Sequence, residues 1–478
     1  MNKGADPGLN KWLVFMLVAG GIFMSTLDSS IVNVALPTIM ADFSVTLSTV
    51  EWVPMIYLLT ISSLLLSFGR LSDIRGRRWV YTWGLVIFST GSLCCALARN
   101  AAWLISARAF QGIGAAMIMA CTPALVVDTF PASERGKGLG MVGTVVAAGL
   151  TTGPPLGGLL IDLFSWRFIF FINVPIGILT VYFITKLLKG SQADVTANES
   201  FDWPGAGLLM LSLSCFLLAL SHGYDWGYLS YQTLSLLVVS AMTTAVFIRT
   251  ETRVPHPIVE PSLFSIRLFT LPILSGVTLF ISLFTVVFLM PFYLMHPCGY
   301  NVDKVGLFMV VPFIFLFFIA PVSGSLYDRL GSRILCTIGM SILATALFAL
   351  SWLSGREGAF PIVWRLALVG LGAALFLPPN SSAAMTAVPR RRRGIAAGTV
   401  AAARNLGMVM GVALTGAIFN TTFHVLSGGL SLTAYRPELS SVFMSSFRYA
   451  MVAGGFVAVV GAILAFFRGP ENRASRAD

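Results

Sequence analysis

Two charged residues lie inside long apolar stretches of this chain, where a charge is costly. Asp28 stands nine residues before Pro37 in the first apolar segment. At 1.5 Å per helical residue it lies roughly 13 Å from one end of that segment. Arg108 lies near the start of the fourth apolar segment. A carboxylate at such depth costs on the order of 3 kcal/mol or more and is a functional candidate by default. It can bind and release a proton, and a nearby arginine can compete with that proton.

Each of these charges also has a structural interpretation. Asp28 can cap a neighbouring helix, and Arg108 can pin helices together through hydrogen bonds to Asp28 or to the backbone of the first segment. Glu51 opens the second apolar segment. It is either an acid at the outer mouth of the molecule or an interfacial residue near lipid headgroups.

The elements that carry these residues are long apolar helices. The chain has 478 residues, of which 56% are hydrophobic and 11% are charged. Soluble domains carry roughly 25% charged residues. Stretches long enough to cross a bilayer recur fourteen times, which predicts a polytopic membrane protein. The segments are 12–37, 48–69, 79–98, 103–127, 137–162, 168–186, 204–222, 231–249, 271–295, 304–326, 333–353, 361–388, 395–420 and 447–467.

Basic residues concentrate in alternate connections between these segments. If the N-terminus is cytoplasmic, the cytoplasmic connections and ends hold 22 of the 31 Lys and Arg, including the run 390–393. This positive-inside pattern predicts a multi-pass protein of the cell membrane, most simply a bacterial inner membrane, with both termini in the cytoplasm. The net charge of +11 therefore reflects topology and does not indicate nucleic-acid binding.

The chain repeats itself at a spacing of about half its length. Residues 69–78 (GRLSDIRGRR) match residues 324–333 (GSLYDRLGSR), 255 residues later. Residues 112–116 match 370–374, and the pair Gly149/Gly153 matches Gly407/Gly411, both 258 residues later. Two six-helix halves related in this way are a transporter architecture, with the substrate site between them. Segments seven and eight have no counterpart and are predicted to be inserted between the halves.

The fifth segment combines closely spaced glycines with a proline pair. Gly149, Gly153 and Gly157 recur every fourth residue around Pro154 and Pro155. In a soluble helix a glycine costs about 1 kcal/mol and a proline about 3 kcal/mol at each interior site. Both are tolerated in membrane helices, and the glycine spacing lets two backbones approach closely. The pattern predicts a helix built for close packing and bending, which suggests a moving part.

These motifs resemble those of the major facilitator superfamily over nearly the whole chain. Residues 69–78 resemble its loop signature between helices two and three, and residues 108–114 (RAFQGIG) its helix-four signature. Residues 149–158 resemble the helix-five signature of its antiporters. Residues 27–37 and 166–177 resemble the fourteen-helix drug:proton antiporter branch. Some members of that branch carry extra acidic residues in the membrane core of the second half, whereas segment thirteen of this chain carries Arg404 and Asn405.

The repeat and the resemblance together predict the fold. It is an all-α membrane protein with fourteen transmembrane helices, built from two pseudo-symmetric six-helix bundles, residues 1–189 and 266–468. Residues 190–265 supply two inserted helices and flanking loops, and residues 469–478 a cytoplasmic tail.

The buried charges and the resemblance together predict three sets of site residues, although a neutral polar residue is expected at Glu51 in the branch. Proton coupling is assigned to Asp28, Arg108 and Glu51. The helix-five set is Gly149, Gly153, Pro154, Gly157 and Gly158, and its glycine face is expected to pack on segment ten across the gap between the halves. Asp73 is expected to reach the N-terminus of segment thirteen when the cytoplasmic side closes, while the arginines of the loop hold acids such as Asp128. The whole cytoplasmic gate comprises Gly69, Asp73, Arg75, Gly76, Arg77, Arg78, Asp128, Asp328 and Arg333.

The function that fits best is a proton-coupled antiporter that exports lipophilic, cationic drugs or toxic compounds by rocker-switch alternating access. A dedicated exporter of one natural product or metabolite stays open. A membrane-embedded enzyme is disfavoured, since the segments contain no evident His–carboxylate cluster or Ser–His pair. A channel or receptor is disfavoured by the repeat and the glycine-rich helix.

The expected partners are a small-molecule substrate, protons and the lipid bilayer. The chain has no phosphate-binding loop of the G-x-x-x-x-G-K-[ST] kind, so ATP is not expected to be the energy source. The six cysteines have no metal-ligand spacing. We therefore expect no cofactor, no metal and no nucleic acid, and a monomer.

Overall fold

The protein is a bundle of long helices. The computed structural model describes residues 11–131, 134–187, 203–251, 261–355, 357–389 and 393–469. The helices are α1 (Lys11–Phe43), α2 (Leu47–Val50), α3 (Trp52–Arg75), α4 (Arg77–Ala96), α5 (Ala101–Thr129), α6 (Arg135–Leu163), α7 (Phe168–Phe171), α8 (Asn173–Leu187), α9 (Trp203–Trp226), α10 (Tyr231–Glu251), α11 (Arg267–Met295), α12 (Val302–Leu350), α13 (Ala359–Thr386), α14 (Arg393–Leu426) and α15 (Ser440–Phe466).

Thirteen stretches of the described helices are long and apolar enough to cross a bilayer. Helix α12 supplies two of them, Val302–Tyr327 and Arg329–Leu350, because its path breaks at Gly331, whose φ of 77° lies in the left-handed region. Helix α9 is apolar over Gly207–Gly223 and is consistent with the fourteenth. The predicted all-α, fourteen-helix membrane fold is confirmed. We call the side at which α1 begins and α15 ends the terminal side, and the other the opposite side.

The sequence repeat corresponds to a structural repeat. Gly76 ends α3 with a φ of 93°, and Gly331, its counterpart 255 residues later, breaks α12 in the same region of backbone space. Only glycine occupies that region without strain, so both signature loops need it.

Close helix contacts repeat as well. A Cβ on Gly114 of α5 would lie 2.6 Å from the carbonyl oxygen of Gly84 of α4, so the backbones of these two helices lie close together here. A Cβ on Gly372 would lie 2.7 Å from the carbonyl oxygen of Gly339, which joins α12 to α13. Such distances exclude any side chain, so each half uses a glycine pair to bring two backbones together.

The glycine row of α6 packs on α1, and the prediction that it packs on segment ten is wrong for most of the row. A Cβ on Gly149 would lie 3.1 Å from the carbonyl oxygen of Phe23, and one on Gly153 would lie 3.0 Å from the backbone nitrogen of Ile31. Gly157 also faces Ile31. In the second half, Gly407 and Gly411 likewise pack on the backbone of α11. Each row thus joins the fifth core helix to the first helix of its own half.

The contact of α6 with segment ten uses the neighbouring face of the helix. A Cβ on Gly158 would lie 2.7 Å from the carbonyl oxygen of Val302. A Cβ on Gly306 would lie 3.2 Å from the Cα of Gly158 and from the carbonyl carbon of Pro154. The two halves therefore touch through Pro154, Gly158 and Gly306 at the opposite side of the bundle.

The two helices predicted to be inserted, α9 and α10, pack on each other. Ser240 Oγ donates to the carbonyl of Ser212 at 3.0 Å, and Ser212 Oγ donates to the carbonyl of Ser240 at 3.2 Å. Helix α9 also packs on α3 of the first half and α14 of the second. Helix α10 exposes large apolar side chains, among them Val238, Met242 and Ile248, as expected of a surface that faces lipid.

Candidate functional site

A fully buried ion pair lies in the core of the first half. Arg108 Nη1 donates to Asp28 Oδ2, and both side chains are inaccessible to solvent. Asp28 Oδ1 also accepts from Gln111 Nε2 at 3.0 Å and from Asn173 Nδ2 at 3.1 Å. Three side chains from α5 and α8 thus supply donors to one carboxylate on α1. The sequence-based pairing of Asp28 with Arg108 is present in the structure.

Arg108 has further partners from its own and a neighbouring helix. Its Nε donates to the carbonyl of Val53 at 3.2 Å, and its Nη1 also donates to Gln111 Oε1 at 2.6 Å. Its guanidinium carbon lies 4.0 Å from the ring centroid of Tyr57, a cation–π contact. Arg108 Nη2 makes no hydrogen bond within the described residues. Arg108 therefore has one donor, Nη2, that can bind another acceptor when the Asp28 carboxylate becomes protonated.

Local sequence features position this cluster. Asn100 caps α5 by accepting from the backbone nitrogen of Trp103 at 2.8 Å, which sets the start of the helix that carries Arg108. Gly91 lets α4 approach α5, because a Cβ there would lie 2.7 Å from the Cα of Gln111. Ser92, the next residue on α4, accepts from Asn173 Nδ2 at 3.0 Å.

The described part of the second half lacks this cluster. At the repeat spacing of 258, Arg108 and Gln111 correspond to Leu366 and Val369, both fully buried. At the spacing of about 255 between the signature loops, Asp28 falls near Ser282, whose hydroxyl donates to the carbonyl of Gly454 on α15 at 2.9 Å. Within the described residues, a buried carboxylate paired with arginine is therefore a feature of the first half.

Glu51 is buried at the junction of both halves with the inserted pair. Its side chain is inaccessible to solvent. Its carboxylate accepts from Ser221 of α9 and packs on Gly416 of α14. Glu51 is thus neither an exposed acid at a mouth nor an interfacial residue, and both sequence interpretations are corrected. The reason is that α9 packs over the N-terminal end of α3, which Glu51 immediately precedes.

The signature loop after α3 is partly described. The side chains of Asp73 and Asp328 lie outside the described residues. Arg77 Nη1 pairs with Asp128 at 2.6 Å, as the sequence predicts for an arginine of this loop. Arg78 instead donates to the carbonyl of Thr185 at 3.1 Å. Two further arginines of the gate lie against aromatic rings: the Arg75 guanidinium is 6.0 Å from the Trp79 ring, and that of Arg333 is 4.3 Å from the Phe466 ring. Gly69 has open space where a Cβ would lie.

A cavity of about 780 Å³ lies between the halves. Helices α1, α3, α5 and α6 line it from one half, and α11 to α14 from the other. It extends from mid-bundle toward the terminal side, whereas the halves meet at Gly158 and Gly306 on the opposite side. Its aromatic lining residues are Tyr57, Phe280, Phe284, Phe313, Phe317, Phe318 and Phe376. The volume and apolar lining suit a drug-sized ligand.

The buried pair and the cavity are separate but adjacent. Tyr57 lines the cavity and also stacks on Arg108, and Ser29, beside Asp28, lines it too. Asp28 and Arg108 do not line it. A change in the Asp28–Arg108 pair can therefore move Tyr57 in the cavity wall, although neither charged residue touches a ligand in the cavity.

The family model described as Major Facilitator Superfamily matches residues 18–412 and 274–478. The chain belongs to the Major Facilitator Superfamily. It is a multi-pass membrane transporter of small molecules and not an enzyme.

Curated members of the superfamily resemble the chain over most of its length. The riboflavin transporter RibZ of Clostridioides difficile is 35% identical over 410 residues, covering 86% of this chain and 88% of that protein. The multidrug resistance protein Stp of Mycobacterium tuberculosis is 35% identical over 414 residues, covering 86% and 76%. The multidrug transporter protein MdtP of Bacillus subtilis is 30% identical over 458 residues, covering 96% and 83%. Such relatives are consistent with the drug:proton antiporter branch.

A solved superfamily structure has the same fold. It is a bacterial homologue of the human lysosomal transporter Spinster in an inward-facing and occupied conformation, with a TM-score of 0.67, 17% identity and 97% coverage of both chains.

Three members of the buried cluster, Gln111, Asn173 and Tyr57, were not predicted from the sequence. Gln111 lies three residues after Arg108 in the helix-four signature, and Asn173 lies inside the stretch 166–177. Polar side chains in apolar helices near a buried charge are the signal that could have found the first two. Tyr57 carries no such signal.

Proposed function

We propose that this protein is a proton-coupled antiporter that exports lipophilic compounds by alternating access. The observation that carries the proposal is the apolar cavity between the halves, which adjoins a buried carboxylate–guanidinium pair. The cavity supplies the substrate site, and Asp28 supplies a group that can bind a proton when Arg108 leaves it.

Coupling follows from competition at Asp28. While Arg108, Gln111 and Asn173 donate to it, the carboxylate has little to gain from a proton. A movement of Tyr57 on substrate binding or release would loosen Arg108, and the carboxylate could then be protonated. Asp28 would bind Arg108 and a proton alternately. Each exchange would accompany a switch of the cavity from one side of the membrane to the other.

The direction of transport follows from the proposed orientation. We place both termini in the cytoplasm on the positive-inside pattern, so the terminal side is cytoplasmic. The cavity then extends toward the cytoplasm while the outer side is closed, which is the arrangement that loads a substrate for export.

Growth of an efflux-deficient bacterial host on a panel of toxic compounds tests the proposal. The protein should raise the tolerated concentration of several lipophilic compounds, and a protonophore should abolish that protection. If protection persists after the proton gradient is collapsed, the coupling is wrong.

A dedicated exporter of one metabolite is the second candidate. It is favoured by the similarity to a relative named as a riboflavin transporter. Protection against a single compound in the same panel would decide for it.

Asp73 is expected to latch the cytoplasmic side. A helix N-terminus carries about half a positive charge, and a carboxylate there gains on the order of 0.3–2 kcal/mol. If Asp73 binds the start of α14 in the outward-open state, Asp73→Asn should shift the resting population toward inward-open and lower turnover. Spin-label distances between α3 and α14 at the terminal side measure this shift, and Asp42→Asn, at the other end of the bundle, is the control. An unchanged distance distribution would exclude the latch.

A further inference from the structure

The charge that the cavity presents to a ligand is positive. Among the described residues that line it, the one charged side chain is Arg404 of α14, and none is Asp or Glu. Its neighbour Asn405 also lines the cavity and is 2% exposed. A guanidinium inside a transmembrane bundle is costly unless it is paired or functional.

Arg404 has no neutralising partner in the part of the chain that the structure describes. No described carboxylate lies within ion-pair distance, and its Nε, although buried, makes no hydrogen bond there. Asn405 Nδ2 is likewise buried without an acceptor among the described residues. Two adjacent residues thus leave donor groups unsatisfied in the wall of the cavity. Buried donors of this kind are normally satisfied, so the geometry points to an acceptor supplied from outside the protein.

Another arginine, which is fully buried, lies behind the same wall. Arg468, 1% exposed, donates through Nη2 to Asn380 Oδ1 at 2.8 Å and to Ser275 Oγ at 3.1 Å. Asn380 itself lines the cavity. These partners of Arg468 are neutral, so its charge adds to that of Arg404. The pair Asp28–Arg108 in the other half is balanced and contributes no net charge.

We propose that the substrate is a lipophilic weak acid, whose anionic group binds Arg404 and whose rings pack on the cavity phenylalanines. The proposal rests on the proposed export function and replaces the expectation of cationic substrates. A guanidinium suits it because it forms two parallel hydrogen bonds with a carboxylate and stacks on planar rings. A lipophilic cation would instead meet an unpaired positive charge.

An anionic substrate changes the amount of charge that each exchange moves across the membrane. Exchange of one cation for one proton moves no net charge, whereas exchange of one anion for one inward proton moves two positive charges inward. Export of an anion is therefore driven by the membrane potential as well as by the pH gradient.

Two dyes with a common ring system test the proposal. Fluorescein is an anion and rhodamine 6G a cation, and both contain a xanthene. Binding to the purified full chain in lipid nanodiscs, measured by fluorescence polarisation, needs no gradient and is independent of coupling. We expect fluorescein to bind more tightly than rhodamine 6G. Arg404→Gln should weaken fluorescein binding about 10- to 100-fold, as expected for the loss of a hydrogen bond to a charged group, without weakening rhodamine 6G.

Controls separate charge from folding. Arg404→Lys keeps the charge and should retain part of the affinity, and Arg436→Gln removes an exposed arginine outside the cavity and should change nothing. Equal or tighter binding of rhodamine 6G by the unmodified protein, or unchanged fluorescein binding in Arg404→Gln, would overturn the proposal. Anion binding that depends on Arg404 but is never accompanied by proton exchange would refute proton coupling and leave the anion site standing.

Discussion

Replacing Asp28 by asparagine is expected to abolish substrate-induced proton movement while substrate binding persists. Asparagine keeps the shape of the side chain and can still accept from Arg108, but it cannot be protonated at neutral pH. Substrate should therefore still enter the cavity, which Asp28 does not line. A pH-sensitive dye in proteoliposomes reports the proton movement, and binding of the same compound in nanodiscs reports the intact site.

Two controls keep that result interpretable. Removing one partner of a buried pair costs about 3–5 kcal/mol, so the double variant Asp28→Asn/Arg108→Gln, which leaves no unpaired charge, should fold and be equally uncoupled. Asp42→Asn changes an exposed carboxylate at the end of the same helix, where it pairs with Arg167 at 3.1 Å, and should stay coupled. Proton exchange at the unmodified rate in Asp28→Asn would make Asp28 structural, and Glu51 would become the next candidate.

A leucine at Gly306 is expected to stop transport by keeping the halves apart at the opposite side. A Cβ there would already lie 3.2 Å from the Cα of Gly158 and from the carbonyl carbon of Pro154, and these backbone atoms cannot move aside. The closed contact between α6 and α12 should be lost, and the population should shift toward the state open on that side. Spin-label distances across this contact and substrate transport measure the two effects.

Gly358→Leu is the matched control for that variant. Gly358 precedes α13, has ordinary backbone angles, and has no neighbouring atom within 4 Å of the position that a Cβ would occupy. It should transport normally. Full transport by Gly306→Leu, with an unchanged distance distribution, would show that the contact at Gly158 is not needed in the cycle.

The motifs of this chain predict its architecture well because they report on backbone needs. Gly76 and Gly331 occupy positive φ values that other residues adopt only with strain, so the repeat in sequence had to be a repeat in structure. The pairing of Asp28 with Arg108 was predictable for an electrostatic reason. Two opposite charges at the same depth in a bilayer have few other partners.

Partners across helices were less predictable. The spacing of Gly149, Gly153 and Gly157 shows that one face of α6 packs closely, but spacing does not say which helix it meets. The face meets α1, and Gly158, one position further, meets α12. The burial of Glu51 was not predicted because it depends on Ser221 of α9, which lies 170 residues away in sequence.

The cavity could not be predicted from sequence, because its lining comes from eight helices. The sequence shows Arg404 as a departure from related chains. Its role as the charged group of the cavity depends on the structure, in which the described lining residues include no Asp or Glu. The identity of neighbours, rather than of the residue itself, sets the charge that a ligand meets.

Counter-transport in proteoliposomes shows directly whether this protein exchanges a lipophilic compound for protons. Purified protein is reconstituted, a pH gradient is imposed, and uptake of a compound from the growth panel is followed. We expect the compound to accumulate on the acidic side, against its own gradient, and this accumulation to collapse when an ionophore dissipates the pH difference. Equilibration of the compound to the same level with and without the pH gradient would exclude proton-coupled exchange.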